Sequence, residues 1–480
     1  MQMERFRRFQ IHTNRFFLGI PFLFALLAVT ALVPIFEIEL QATIAYIFLI
    51  SIILLVCGDI MAVFFPALLL CAFVTRCYDC YDRFIPYKWW LIPAFAAMIL
   101  HFCLYRRKIR LGETFWGLCA VSVAVTVSSL HSLRSGEGWG EITWIALYYL
   151  FGLGFGLLGA YLLLRSQLKV ERPYDPKQKF ALIMTFAGIF VCVCIAVFYI
   201  KGLAGGKGKE YYYSFQPSNN LATLLLMAMP FPAWLSLKKK GWLPLLFLFF
   251  AGTVLSTSRG GALMGGAELL LCLVCLSVFD RKFRFLYPIL AATFALVGFF
   301  TLPYVAYYLW NYTKISVDGS FFDCLRTICE NYGLEKEGRF GLISRMKTDF
   351  LSDPIFGRGI FYRGNEDLYH PRTGAMNWYH IWFAQIIGSM GIIGILAYGY
   401  QLGERIFVTV RNRSEGNWFF FLSYVGLFLM SQVNPGEFCP LPYAIHAVIL
   451  FILIEERTLF SKRKKTLVNQ SIIIQEENLK

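Results

Sequence analysis

Apolar stretches of membrane-crossing length recur along almost the whole chain, and they restrict what it can fold into. A helix needs about 20 mostly apolar residues to cross a bilayer. By that measure the 480 residues hold about fourteen candidates. The first six centre on residues 16–35, 40–57, 59–75, 88–105, 112–130 and 142–164. The next five centre on 180–200, 218–236, 242–256, 260–279 and 285–310, and the last three on 379–400, 417–433 and 439–455. The composition agrees: 58% of residues are hydrophobic and 16% charged, where a soluble domain carries about a quarter. The 47 phenylalanines suit lipid-facing helices and interfacial belts. The expected fold class is an all-α polytopic integral membrane protein with one large extracytoplasmic loop.

The net charge is +15. No soluble basic domain is long enough to hold a nucleic acid, so no nucleic-acid partner is expected. Lys and Arg instead orient the helices by collecting in cytoplasmic loops. Arg5, Arg7, Arg8 and Arg15 place the N-terminus there. Alternation of the spans then brings Arg106 to Lys108, 165–179, Lys238 to Lys240, 280–284, 405–413 and Lys462 to Lys465 to the same side. The opposite side receives 37–39, 131–141, 201–220, 256–261, 311–379 and 434–437. Both termini are expected in the cytoplasm, with an uncleaved first helix. The expected organisation is an N-terminal bundle at 1–310, an extracytoplasmic region at 311–378, C-terminal helices at 379–455 and a cytoplasmic tail at 456–480.

Most of the 13 cysteines lie in apolar runs and act as small hydrophobes. Cys77 and Cys80 have CxxC spacing, but no second pair or His cluster accompanies them, so no zinc site is expected. Cys324 and Cys329 share one polar loop, either as a disulfide or as two thiols.

Polar chemistry concentrates in 337–394, with one outlier. Arg259 sits in the turn Ser256-Thr257-Ser258-Arg259-Gly260-Gly261, on the side where positive charge is disfavoured. It either snorkels to water or, with the donors of Ser256, Ser258 and the Gly260 backbone, holds an anionic oxygen ligand such as a phosphate. Arg339 and Arg345 lie on a helical-looking piece that also reads as an amphipathic surface helix. Arg358 stands between Gly357 and Gly359, in a plain turn or where backbone approaches a ligand closely. His380, after Asn377, Trp378 and Tyr379, begins a span. It is a polar helix cap or a base near water and membrane-embedded substrate at once. Gly388, Gly391 and Gly394 follow, at a spacing that usually means close helix packing. No Asp-x-Asp pair, Walker A sequence, Rossmann fingerprint or HExxH helix is present in this region, so a mechanism without metal or cofactor is expected.

These residues resemble the O-antigen ligase and polymerase superfamily. The resemblance rests on three motifs in order. The Ser256–Gly261 turn comes first. Gly338-Arg339 follows, with a helix and the turn Pro354-Ile355-Phe356-Gly357-Arg358-Gly359. Then comes His380 with Gly391 and Gly394. One departure is Ile381, where the family usually has Asn, Ser or Gln; the amide's role is then either missing or supplied by a neighbour such as Asn377.

The resemblance implies a GT-C-like membrane glycosyltransferase, with its active site on the extracytoplasmic face of a bacterial cytoplasmic membrane. The donor is a polyprenyl-diphosphate-linked glycan and the acceptor a glycan or lipid hydroxyl. Arg259 and Arg339 would bind diphosphate, and His380 would orient or deprotonate the acceptor. Ser256, Ser258, Gly260, Arg345, Arg358, Asn377 and Tyr379 complete the expected site. Polymerisation of surface polysaccharide repeats is the expected activity, with export or chain-length proteins as partners; a ligase is the alternative. A flippase would need polar residues along a cavity within the spans, and only His101, His446 and little else ionisable are expected there.

Overall fold

The computed structural model describes residues 2–74, 89–134, 150–168, 172–204, 218–305, 339–360, 379, 381–433 and 436–455. Every element among them is helical. In chain order these are α1 (Gln2–Phe17), α2 (Ile20–Phe36), α3 (Glu39–Val56), α4 (Met61–Val74), α5 (Leu91–Leu104) and α6 (Phe115–Arg134). A π-helical turn (Leu150–Gly156) leads into α7 (Leu157–Leu168), followed by α8 (Pro176–Ala204), α9 (Ser218–Ala228) and α10 (Pro230–Ser236). Then come α11 (Leu243–Leu255), α12 (Arg259–Phe279), α13 (Leu286–Tyr304) and α14 (Arg339–Ser352). The last helices are α15 (Trp382–Arg411), α16 (Glu415–Ser431) and α17 (Ile445–Ile454).

Among the described residues six helices are long and apolar enough to cross a membrane, or up to seven if α1 and α2, bent by 51°, count as one broken span. Five further apolar helices of 10–17 residues are shorter. The stretch expected at 218–236 is split, because Pro230 starts a second helix and cannot continue the first.

Polar contacts between distant segments sort the helix ends into two sets. One set joins Asp59 to Arg172 (2.9 Å), Lys240 to Asp280, and Glu113 to Asn412 (3.0 Å). The other joins Glu37 to Lys201 (3.0 Å), Asn219 to Ser258 (2.6 Å) and His131 to Asp353 (2.8 Å). Each of these pairs joins segments that charge alternation assigns to one side. The buried pair Arg405 Nη1–Glu437 Oε1, at 2.5 Å, instead joins segments that charge alternation assigns to opposite sides, because both residues lie within the helical bundle rather than in loops.

The expectation that the helices hold little ionisable beyond His101 and His446 is corrected. Arg165 in α7 pairs with Glu455 at 3.0 Å, and both are almost fully buried. Arg405 lies inside α15 and also stacks over the Tyr424 ring at 4.6 Å. Glu268 in α12 is fully buried, with neither oxygen hydrogen-bonded among the described residues. Arg165 and Arg405 look like loop residues beside basic runs, but the helices extend further than their apolar cores.

Candidate functional site

The site is built around a break in α15. Gly391 has φ 58° and ψ −147°, a conformation that only glycine adopts without severe strain. The helix folds back there. Trp382 packs edge-on against Tyr398, with ring centroids 5.6 Å apart. A Cβ on Gly394 would lie 3.0 Å from the Ile386 side chain. Residues 382–390 and 392–411 are therefore two helices side by side, not one crossing that starts at 379. The reading of these glycines as small-residue packing holds for Gly388, against Tyr379, and for Gly394, where the two halves meet, and is corrected for Gly391, which turns the chain.

A broken helix leaves carbonyls and N–H groups without intrahelical partners. Here the turn that follows α14 satisfies them. Arg358 N donates to Gly388 O and Gly359 N to Ser389 O, both at 3.0 Å. In return Ile392 N donates to Pro354 O at 2.9 Å and Ile393 N to Ile355 O at 3.3 Å. Such closeness needs glycine on both sides. Gly357 and Gly359 have φ of +65° and +92°, and a Cβ on Gly391 would sit 2.5 Å from Pro354 O. The two glycines flanking Arg358 thus bring the backbone against α15. From α6, Ser128 Oγ donates to Ser389 O at 2.7 Å, and Gly359 lies directly on Ser132.

Tyr379 completes this cluster. Its N–H reaches Gln385 Oε1 at 3.2 Å, its hydroxyl donates to Asp349 on α14, and its ring lies over Gly388. Arg345 and Arg358, both half-buried, lie close enough to act electrostatically on its phenol. Leu342, Ile343 and Met346 of α14 pack on Tyr379, Ile381 and Ala384, so the apolar face of α14 is docked rather than laid on a surface.

Arg259 is held separately. Ser258 caps α12, its Oγ accepting from Gly261 N at 2.9 Å while donating to Asn219 Oδ1 at 2.6 Å. Ser256 Oγ donates to Thr253 O at 2.7 Å. Both serines are buried, and a Cβ on Gly260 would meet Val433 at 2.9 Å. The turn's hydroxyls therefore set the helix start and leave Arg259, the first residue of α12, exposed. Thr257 has φ 61°, strained for a β-branched residue. Thr257→Gly is expected to raise the thermal unfolding midpoint of the detergent-solubilised protein, by relief of about 1 kcal/mol.

The structure thus brings Arg345, Arg358 and Tyr379 into one cluster, and Ser256, Ser258, Arg259 and Gly260 into another. Val433, which follows the last turn of α16, lies against Gly260 of the second group. Arg339 opens α14, but its side chain, with His380 and Asn377, lies outside the described residues, as do Cys77, Cys80, Cys324 and Cys329. Sequence reasoning missed Ser128, His131 and Ser132 of α6. They sit at the end of an apolar run with no motif around them. Asp349 and Asp353 are two of several acidic residues in 311–379, and no local motif sets them apart. Among the described residues no group of three or more His, Cys, Asp or Glu could hold a metal ion.

Searches of curated proteins and of solved structures return no match. A family model described as O-antigen ligase matches residues 244–399, from the start of α11 through the Gly391 break. That segment contains all three motifs, and the match supports a membrane glycosyltransferase-type function in general. Residues 244–399 are therefore similar to an O-antigen ligase domain, which supports the resemblance to the O-antigen ligase/polymerase superfamily.

Proposed function

We propose that this protein transfers a polyprenyl-diphosphate-linked glycan to a sugar hydroxyl at the outer face of a bacterial cytoplasmic membrane, polymerising surface polysaccharide repeats. The observation that supports it most is the docking of the second motif on the third through four backbone hydrogen bonds. That contact gives residues about 30 positions apart a common purpose: it holds Arg358 beside the helix that follows His380.

In this reading the arrangement is GT-C-like, with about fourteen crossings once the shorter apolar helices are included. Arg259 and Arg339 hold the donor diphosphate and stabilise the leaving group's charge. Arg345, Arg358, Asn377 and Tyr379 line the donor site. His380 orients or deprotonates the acceptor hydroxyl. The glycosyl diphosphate supplies the driving force, so neither metal nor ATP enters the scheme. Chain-length or export proteins would act on the product.

The test is reconstitution of the full chain with lipid-diphosphate-linked repeat units. A ladder of longer lipid-linked chains is the expected product. Transfer only to an added lipid or protein acceptor makes the protein a ligase. Transbilayer movement without covalent change makes it a flippase, a class for which buried ionic groups such as Arg405 and Glu437 are available. Arg259→Ala, Arg339→Ala and His380→Ala are each expected to lower turnover about 100-fold or more at normal protein levels. Full activity in all three sinks the assignment.

A further inference from the structure

We propose that His131, held by Asp353, is the group that takes the proton from the acceptor hydroxyl; this rests on the transferase reading above. His131 Nε2 lies 2.8 Å from Asp353 Oδ2, and its ring stacks on Phe356 with centroids 5.6 Å apart. The two side chains keep 33% and 26% of their surface exposed, so the pair faces open space rather than a sealed core. A carboxylate on one imidazole nitrogen fixes the ring's orientation and tautomer. The other nitrogen, here Nδ1, is then an acceptor for a proton.

Position decides what that proton belongs to. Asp353 ends the segment that starts at Asp349, its N–H donating to Asp349 O at 3.2 Å, and Asp349 takes the Tyr379 hydroxyl. Tyr379 immediately precedes His380 in the chain. One residue beyond His131, Ser132 seats Gly359; one turn before it, Ser128 holds Ser389 of the broken helix. His131 is thus wired to the second and third motifs from a helix that lies outside the 244–399 match. A simple tie between α6 and the turn would need only the buried serine contacts, which are already made. An exposed His–Asp pair adds little stability there.

In the step, the acceptor oxygen bonds to the anomeric carbon as the bond from that carbon to the diphosphate oxygen breaks. The electron pair leaves with the diphosphate, whose charge the arginines hold. The acceptor proton passes to His131 Nδ1 and then to water. His380 is left with orientation of the acceptor.

The experiment uses the reconstituted full chain and lipid-diphosphate-linked repeat units. His131→Gln keeps a donor near the Nε2 position for Asp353 but removes the basic nitrogen. Turnover is expected to fall about 100-fold with the donor KM and the thermal midpoint unchanged. His131→Ala is expected to regain turnover with added imidazole, which a structural tie would not allow. A folded His131→Gln protein within about tenfold of wild type overturns the proposal. If His131→Gln does not fold, the alanine variant decides, and absence of imidazole rescue overturns it. Wild-type protein that transfers glycan neither to a lipid-linked chain nor to an added acceptor overturns the transferase reading itself, and this inference with it.

Discussion

Gly391→Ala is expected to remove most of the folded protein recovered from membranes. The backbone at φ 58° and ψ −147° lies in a region that costs a non-glycine residue of order 1–3 kcal/mol. The added Cβ would also lie 2.5 Å from Pro354 O and 2.7 Å from Gly357 N. Neither atom belongs to a side chain that can swing away. Relief requires moving the Pro354–Gly359 turn, which breaks the four hydrogen bonds capping the fold-back. Unpaired backbone groups in an apolar bundle cost several kcal/mol each. Monodisperse yield in detergent and the thermal midpoint measure the effect. Gly399→Ala is the control: nothing lies within 4 Å of a Cβ there, so it should behave as wild type. Equal yield and midpoint for Gly391→Ala would mean that the helix is not broken at this residue.

Arg405→Ala carries the second large effect, for an electrostatic reason. Arg405 donates to Glu437 and to the Tyr424 hydroxyl, at 2.5 and 2.8 Å, and packs over the Tyr424 and Phe451 rings. Removing it leaves a buried carboxylate without its cation, a loss of about 3–5 kcal/mol for a pair of this kind. Arg405→Met with Glu437→Gln removes both charges and is expected to cost less than Arg405→Ala alone. The ordering of the three thermal midpoints checks it. The pair also fixes the short irregular segment at 436–444 against α15 and α16, because Glu437 is its second residue. Loss of the pair should therefore expose 436–444 to limited proteolysis before the rest of the bundle.

Much of the bundle is readable in the chain because lipid imposes a single demand, a long apolar helix. α3, α6, α8, α12 and α16 fall within a few residues of the stretches that hydrophobicity marks. Lys and Arg assign the loops to two sides; Glu37–Lys201 and Asp59–Arg172 join segments assigned to the same side, whereas Arg405–Glu437 does not. Hydrophobicity says nothing about whether such a stretch is straight. Residues 379–400 look like one span, yet the chain turns back at Gly391. The local sequence of small and apolar residues fits a packed helix equally well. Only the partner turn, some 35 residues earlier, supplies the hydrogen bonds that make the break affordable.

The candidate site divides in the same way. Arg259, Arg345, Arg358 and Tyr379 stand out because charge or an aromatic hydroxyl is rare in this chain and glycines surround two of them. Their grouping does not stand out. Ser256 and Ser258 look like ligands in the sequence, whereas in the fold their hydroxyls set the start of α12.

Residue type alone determined that this chain is a helical membrane protein and which arginines stand apart from the orienting charge. Tertiary structure decided that α15 folds back, that the Pro354–Gly359 turn caps the fold, and that His131 meets Asp353 across more than 200 positions. The reason is one of range. Burial of apolar side chains is additive along the chain and visible locally. Satisfying a broken backbone or pairing an imidazole requires a partner whose distance in sequence nothing local encodes.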